Sequence, residues 1–126
     1  MGYIRSFEEY RAYRRADIKA LGRKRFLKAL MFDDIGNFQM LLRRLEFSKN
    51  NPCKLISFLI YLLTYPRFVR ASKLLGYSIP INVFGPGLKI MHRGTIIITP
   101  GARIGANCKI NASVQIGPGK KGSPKI

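Results

Sequence analysis

Four isoleucines, Ile98, Ile104, Ile110 and Ile116, stand six residues apart without a slip, and this period constrains the fold more than any other feature of the chain. Two residues short of each following isoleucine sits a small or medium side chain: Ala102, Cys108 and Val114. The hexads read Ile98-Thr-Pro-Gly-Ala-Arg, Ile104-Gly-Ala-Asn-Cys-Lys, Ile110-Asn-Ala-Ser-Val-Gln and Ile116-Gly-Pro-Gly-Lys-Lys. A period of six matches neither the helical repeat of about 3.6 nor the alternation of a simple hairpin. It predicts a solenoid of triangular cross-section, each face a short strand with an inward isoleucine and each corner a Gly, Asn or Pro turn. Three hexads close one coil, so Ile98 is expected to stack on Ile116 at the ~4.7–4.9 Å spacing of adjacent strands. The bland alternative is a chance alternation in an ordinary sandwich, which four hexads in register make improbable. The repeat breaks at Pro118-Gly-Lys-Lys-Gly-Ser-Pro-Lys125, and Ile126 reads as a new coil starting where the chain stops. The expectation is a truncated solenoid.

The first 76 residues have a different texture, and the expected division is 1–76 helical and 77–126 repeat. Ser6 and Glu9 have capping-box spacing ahead of Phe7, Tyr10, Tyr13, Ile18 and Leu21, with Gly22 as the stop. A short apolar helix is expected over Arg25–Met31. Asp33 or Asp34 can cap a third helix with the stripe Ile35, Phe38, Leu41, Leu42 and Leu45. Asn50-Asn51-Pro52 ends it, and Pro52 suits the first turn of the next helix. That helix is expected to reach Tyr65-Pro66, with a continuation to Leu75 closed by Gly76.

Charge narrows the function. The chain of 126 residues has 23 Lys+Arg against 6 Asp+Glu, a formal net charge of +17. All the acids lie in residues 1–46 beside 11 basic residues (+5); residues 47–126 hold 12 basic residues and no carboxylate (+12). Any mechanism needing an Asp or Glu after Glu46 is excluded, and an anionic partner is implied. Nucleic acid is disfavoured, because no recognised module is present and the Arg, Tyr and Phe of residues 3–28 alternate with acids. Two Cys far apart, Cys53 and Cys108, read as reduced thiols in a cytoplasmic protein, Cys108 at an inward core position. Met1–Tyr3 leads into charged helical sequence rather than a leader peptide. The longest apolar run, Leu55–Tyr65, is about half of the ~20 residues a spanning helix needs. Lys54–Leu75 is expected to pack against the repeat; peripheral contact with an anionic membrane surface is the lesser reading.

The segment Gly76–Ile126 resembles the hexapeptide-repeat acetyltransferases, most closely serine O-acetyltransferases and their relatives in surface-polysaccharide gene clusters. The resemblance is carried by Gly76-Tyr-Ser-Ile-Pro, Asn82-Val-Phe-Gly-Pro-Gly-Leu88, Ile90-Met-His-Arg-Gly-Thr95, Ala102-Arg-Ile-Gly-Ala-Asn-Cys108, Val114-Gln-Ile-Gly117 and Pro124-Lys-Ile126. Tyr10-Arg-Ala-Tyr-Arg-Arg-Ala-Asp17 and Leu42-Arg-Arg-Leu-Glu46 are similar to the helical cap of these enzymes. The resemblance implies an α+β chain whose helical region precedes a left-handed parallel β-helix, incomplete at its C-terminus. It implies a homotrimer with active sites between subunits, acetyl-CoA as co-substrate, no bound cofactor, no metal, and direct acetyl transfer.

His92, the chain's single histidine, is then the general base that takes the acceptor's proton. Arg93, Gly94, Gly117, Lys120 and Lys121 are candidates for contact with the acceptor or CoA. In the family an Asp orients the catalytic His; here Ser78, Asn82 or a backbone carbonyl is expected to do so. Gly122-Ser123 stands where the family has an Arg-His pair that contacts the acceptor, so serine and a sugar are both candidate acceptors. The competing class is a non-catalytic truncated repeat scaffold or a basic surface-binding protein.

Overall fold

A computed structural model describes residues 4–22, 34–51, 53–120 and 122–126. Among these, three helices precede five short strands. Helix α1 (Phe7–Leu21) starts where Ser6 accepts a hydrogen bond from the Glu9 N–H at 3.1 Å. Glu8 and Glu9 occupy its first turn, where carboxylates favour the helix dipole. Gly22 closes it, its N–H donating to the Ile18 carbonyl at 2.9 Å. Helix α2 (Asp34–Asn50) buries the whole expected stripe, Ile35, Phe38, Leu41, Leu42 and Leu45. Helix α3 (Lys54–Leu75) runs unbroken through Pro66, where a boundary was expected. Pro66 lies on the exposed side, so the carbonyl it leaves without an N–H partner can bond water. Gly76 ends the helix in the left-handed conformation (φ 80°, ψ 26°), as expected of that position. The helix expected over Arg25–Met31, Asp33 as a cap and Pro52 all lie outside the described residues.

The strands are β1 (Tyr77–Ser78), β2 (Lys89–Ile90), β3 (Ile96–Ile98), β4 (Lys109–Ile110) and β5 (Val114–Ile116). They form a three-stranded parallel sheet, β1-β3-β5, and a two-stranded parallel sheet, β2-β4. Single parallel bridges join Phe84 to Ile104 and Arg103 to Lys125. This α+β arrangement of two small sheets corrects the expected regular solenoid and left-handed β-helix.

The reason lies in the register. Three strict hexads require an 18-residue offset, which holds between β3 and β5, where Ile98 does pair with Ile116 (116 − 98 = 18). Elsewhere the offset drifts: Tyr77 to Ile96 is 19, Lys89 to Lys109 is 20 and Arg103 to Lys125 is 22. Extra turn residues absorb the difference, and Gly/Pro/Asn corners leave only two or three residues per strand free to pair. The inward pattern survives the drift. Ile98, Ala102, Ile104 and Ile110 are buried, while Cys108, Val114 and Ile116 are half-buried against the same core.

That core joins the helices to the strands. Phe38 of α2 stacks on Phe68 of α3 at 5.3 Å and meets Tyr77 of β1 edge-on at 5.0 Å. Ala71 and Leu75 of α3 pack into the same cluster as Leu88, Ile90 and Ile96.

A buried polar network makes a second junction. Arg43 of α2 is 1% exposed and spends its whole fork on acceptors. Its Nε and Nη2 donate to Asp17 of α1 at 2.7 and 3.2 Å, and its Nη1 donates to Glu46 at 3.0 Å. The same Nη1 and Nη2 also donate to the carbonyls of Phe84 and Gly85 at 2.9 and 2.7 Å. Asp17 accepts in turn from the N–H groups of Gly87 and Leu88, and Glu46 from that of Asn82. Gln39 brackets Leu88, donating to its carbonyl and accepting from the Ile90 N–H. Helix side chains therefore satisfy the backbone of residues 82–90, which forms only one short strand of its own.

With one guanidinium between two buried carboxylates, Glu46 is held above the usual carboxylate range, chiefly by burial, against the pull of Arg43. A carboxyl raised on folding stabilises the fold fully below its unfolded pKa, and that contribution is lost as pH rises through the folded value. The stability of the wild type minus that of Glu46→Gln is thus expected to fall from about pH 4 to neutrality in urea titrations. A difference that stays flat or rises would count against the burial account.

Candidate functional site

His92 lies in the turn between β2 and β3, and its side chain is exposed. The backbone of that turn is fastened at several points. The Tyr77 hydroxyl donates to the His92 carbonyl at 2.7 Å, and the Met91 N–H donates to the Ile110 carbonyl at 2.8 Å. The Gly94 N–H donates to the Leu75 carbonyl at 3.2 Å, and the Thr95 carbonyl accepts from the Ser113 N–H at 2.7 Å. An exposed imidazole on a pinned backbone is free to meet a ligand while its Cα stays in place.

Gly94 has a specific reason to be glycine. Its φ is +132°, and a Cβ there would lie 2.8 Å from the Cβ of Ala112. Gly94→Ala is expected to lower stability by about 1–3 kcal/mol and to loosen the His92 turn, read as a lower Tm and faster amide exchange at residues 91–95. An unchanged Tm would show that the turn relaxes at no cost.

The other expected site residues scatter. Ser78 is exposed on β1, in register with Ile97 of β3. The Asn82 side chain exchanges hydrogen bonds of 2.6 and 3.3 Å with Asn50. Gly117 and Lys120 are exposed beyond β5, and Lys121 lies outside the described residues. Among the described residues, no hydrogen bond or ion pair joins the His92 side chain to Ser78, Asn82, Gly117 or Lys120; what holds the residue is Tyr77, through the backbone. Arg93 pairs with Asp34, at the start of α2. Sequence reasoning missed both Tyr77 and Asp34, and no spacing signal could have linked them to this turn. Cys108 is half-buried, and burial pushes its thiol up, which suits a core position rather than a thiolate nucleophile.

A second feature lies between α2 and α3, next to the His92 turn, since its lining includes Asp34, the partner of Arg93. A cavity of about 320 Å³ is lined by Asn37, Arg44, Arg67 and Arg70 together with Asp34 and Leu74. Among the described residues none of these three arginines pairs with a carboxylate. An adjoining furrow of about 330 Å³ shares Arg44 and Arg67 and is otherwise largely apolar, with Phe7, Phe47, Ile60 and Leu63.

Comparison with known proteins finds no matching family model, no matching curated protein and no matching solved structure. Among the described residues no helix is long and apolar enough to cross a membrane.

Proposed function

We propose that this chain is an acetyl-CoA-dependent O-acetyltransferase in which His92 is the general base. The observation that carries the reading is the His92 turn: an exposed imidazole within Ile90-Met-His-Arg-Gly-Thr95, its carbonyl tied to the Tyr77 hydroxyl. In the reaction the acceptor hydroxyl oxygen attacks the thioester carbonyl while His92 takes its proton. The tetrahedral intermediate collapses as the C–S bond breaks, and the imidazolium returns the proton to the CoA sulfur. Backbone N–H groups of a facing segment would hold the intermediate's oxyanion, because the Met91 and Gly94 N–H groups of the turn are spent on the Ile110 and Leu75 carbonyls. Lys120 is an exposed cation that suits the phosphates of CoA or an anionic acceptor, and Arg93 would have to exchange its Asp34 partner to do the same. L-serine and sugar hydroxyls are the acceptor classes, a homotrimer is the assembly the resemblance implies, and the cytoplasm is the compartment that the two separated cysteines suggest.

The test is acetyl-CoA turnover with L-serine and with sugar acceptors, followed by loss of thioester absorbance so that Cys53 does not interfere. His92→Gln is expected to lower kcat by about 10²–10⁴-fold. Turnover that survives the substitution unchanged would remove His92 from the mechanism.

A further inference from the structure

Helix α3 is built inside out. Ser57, Thr64 and Ala71, seven residues apart, are buried, whereas Leu55, Ile56, Phe58, Leu59, Leu62 and Leu63 are 52–74% exposed. At about 100° per residue those six side chains cover one half of the helix surface. Packing within the chain accounts for the Ser57–Thr64–Ala71 side of α3 and for Phe68 and Leu75, which join the core, but not for the leucine face. A contiguous leucine face of this kind marks a surface that is covered in use.

Length and charge identify the cover. Leu55–Leu63 offers an apolar face about 13 Å long at ~1.5 Å per residue, and a helix lying in the membrane interface buries such a face ~5–10 Å into the headgroup–acyl boundary. Beyond it α3 turns cationic with Arg67, Arg70 and Lys73, and Lys54 stands at its start. Arg44, Arg67 and Arg70 line the neighbouring cavity without a carboxylate partner among the described residues. A second copy of the chain would set +17 against +17, offering only 6 acids against 23 basic residues. An anionic bilayer supplies both the apolar medium and the phosphates.

We propose that α3 docks this protein on an anionic membrane surface, its Leu55–Leu63 face entering one leaflet while Arg44, Arg67 and Arg70 bind lipid phosphates. This inference is independent of the acetyl-transfer reading.

Flotation of the full chain with phosphatidylcholine vesicles, with and without phosphatidylglycerol, tests it. Binding is expected only to the vesicles containing phosphatidylglycerol, and to weaken as salt rises. Arg67→Gln with Arg70→Gln is expected to weaken it roughly thirtyfold. Leu59→Ser with Leu62→Ser is expected to weaken it about a hundredfold, with circular dichroism unchanged because both positions are exposed. The chain has no Trp, so Leu59→Trp adds a single reporter whose emission should shift to the blue on the anionic vesicles. Three results would overturn the proposal: no flotation, flotation unaffected by the serine substitutions, or a lipid-free oligomer that those substitutions dissociate. The last would assign the face to a second copy.

Discussion

Arg43→Met is expected to cost about 3–5 kcal/mol, a large part of the stability of a domain this size. The substitution leaves Asp17 and Glu46 buried and facing each other without their cation, at 5% and 2% exposure. It also strips one donor each from the Phe84 and Gly85 carbonyls. Loss of packing is secondary, since methionine fills a similar volume. Arg43→Lys should recover little, because one ammonium cannot reproduce five N–H donors in a planar fork. Restoring charge balance should help: Glu46→Gln on the Arg43→Met background is expected to recover part of the loss, giving a coupling of about 0.5–3 kcal/mol. Urea titration of the two single variants and the double variant measures this. An Arg43→Met cost below about 1 kcal/mol would mean the network is open to water and holds nothing together.

The second large effect is kinetic. If His92 takes the acceptor's proton, His92→Gln should lower kcat by about 10²–10⁴-fold, or roughly 3–5 kcal/mol of barrier. The loss should fall on kcat rather than on KM for acetyl-CoA, because the imidazole acts on the acceptor hydroxyl as it attacks. Stability should not follow activity, since the side chain is exposed and the Tyr77 contact is to the backbone carbonyl, which any residue keeps. A variant that loses activity and stability together would point to collapse of the turn instead.

Much of the helical half was legible because its signals are local. The Ser6 cap, the Gly22 and Gly76 stops and the buried stripe of α2 each depend on residues within a few turns of one another. The isoleucine period told correctly which residues point inward and that Ile98 meets Ile116. It overstated regularity, because a side-chain period says nothing about how many residues each turn consumes. Tyr10–Asp17 and Leu42–Glu46 drew attention through resemblance, while the reason those side chains matter appeared only as contacts to residues 82–88. For helix α3 the expected packing against the strands holds for Phe68, Ala71 and Leu75, whereas the leucine face of Leu55–Leu63 stays exposed because the small residues Ser57 and Thr64 face inward there.

The sequence alone determined the change from helical to strand texture, the inward isoleucines, the absence of any carboxylate after Glu46 and the uniqueness of His92. Those are matters of composition and short-range spacing, and no fold can alter them. Tertiary structure decided the rest: the drifting strand register, Arg43 between two carboxylates, Tyr77 fastening the His92 turn and the leucine face of α3 turned outward. Each depends on groups tens of residues apart in the chain or on which face a neighbouring element covers. Local propensity carries no information about either.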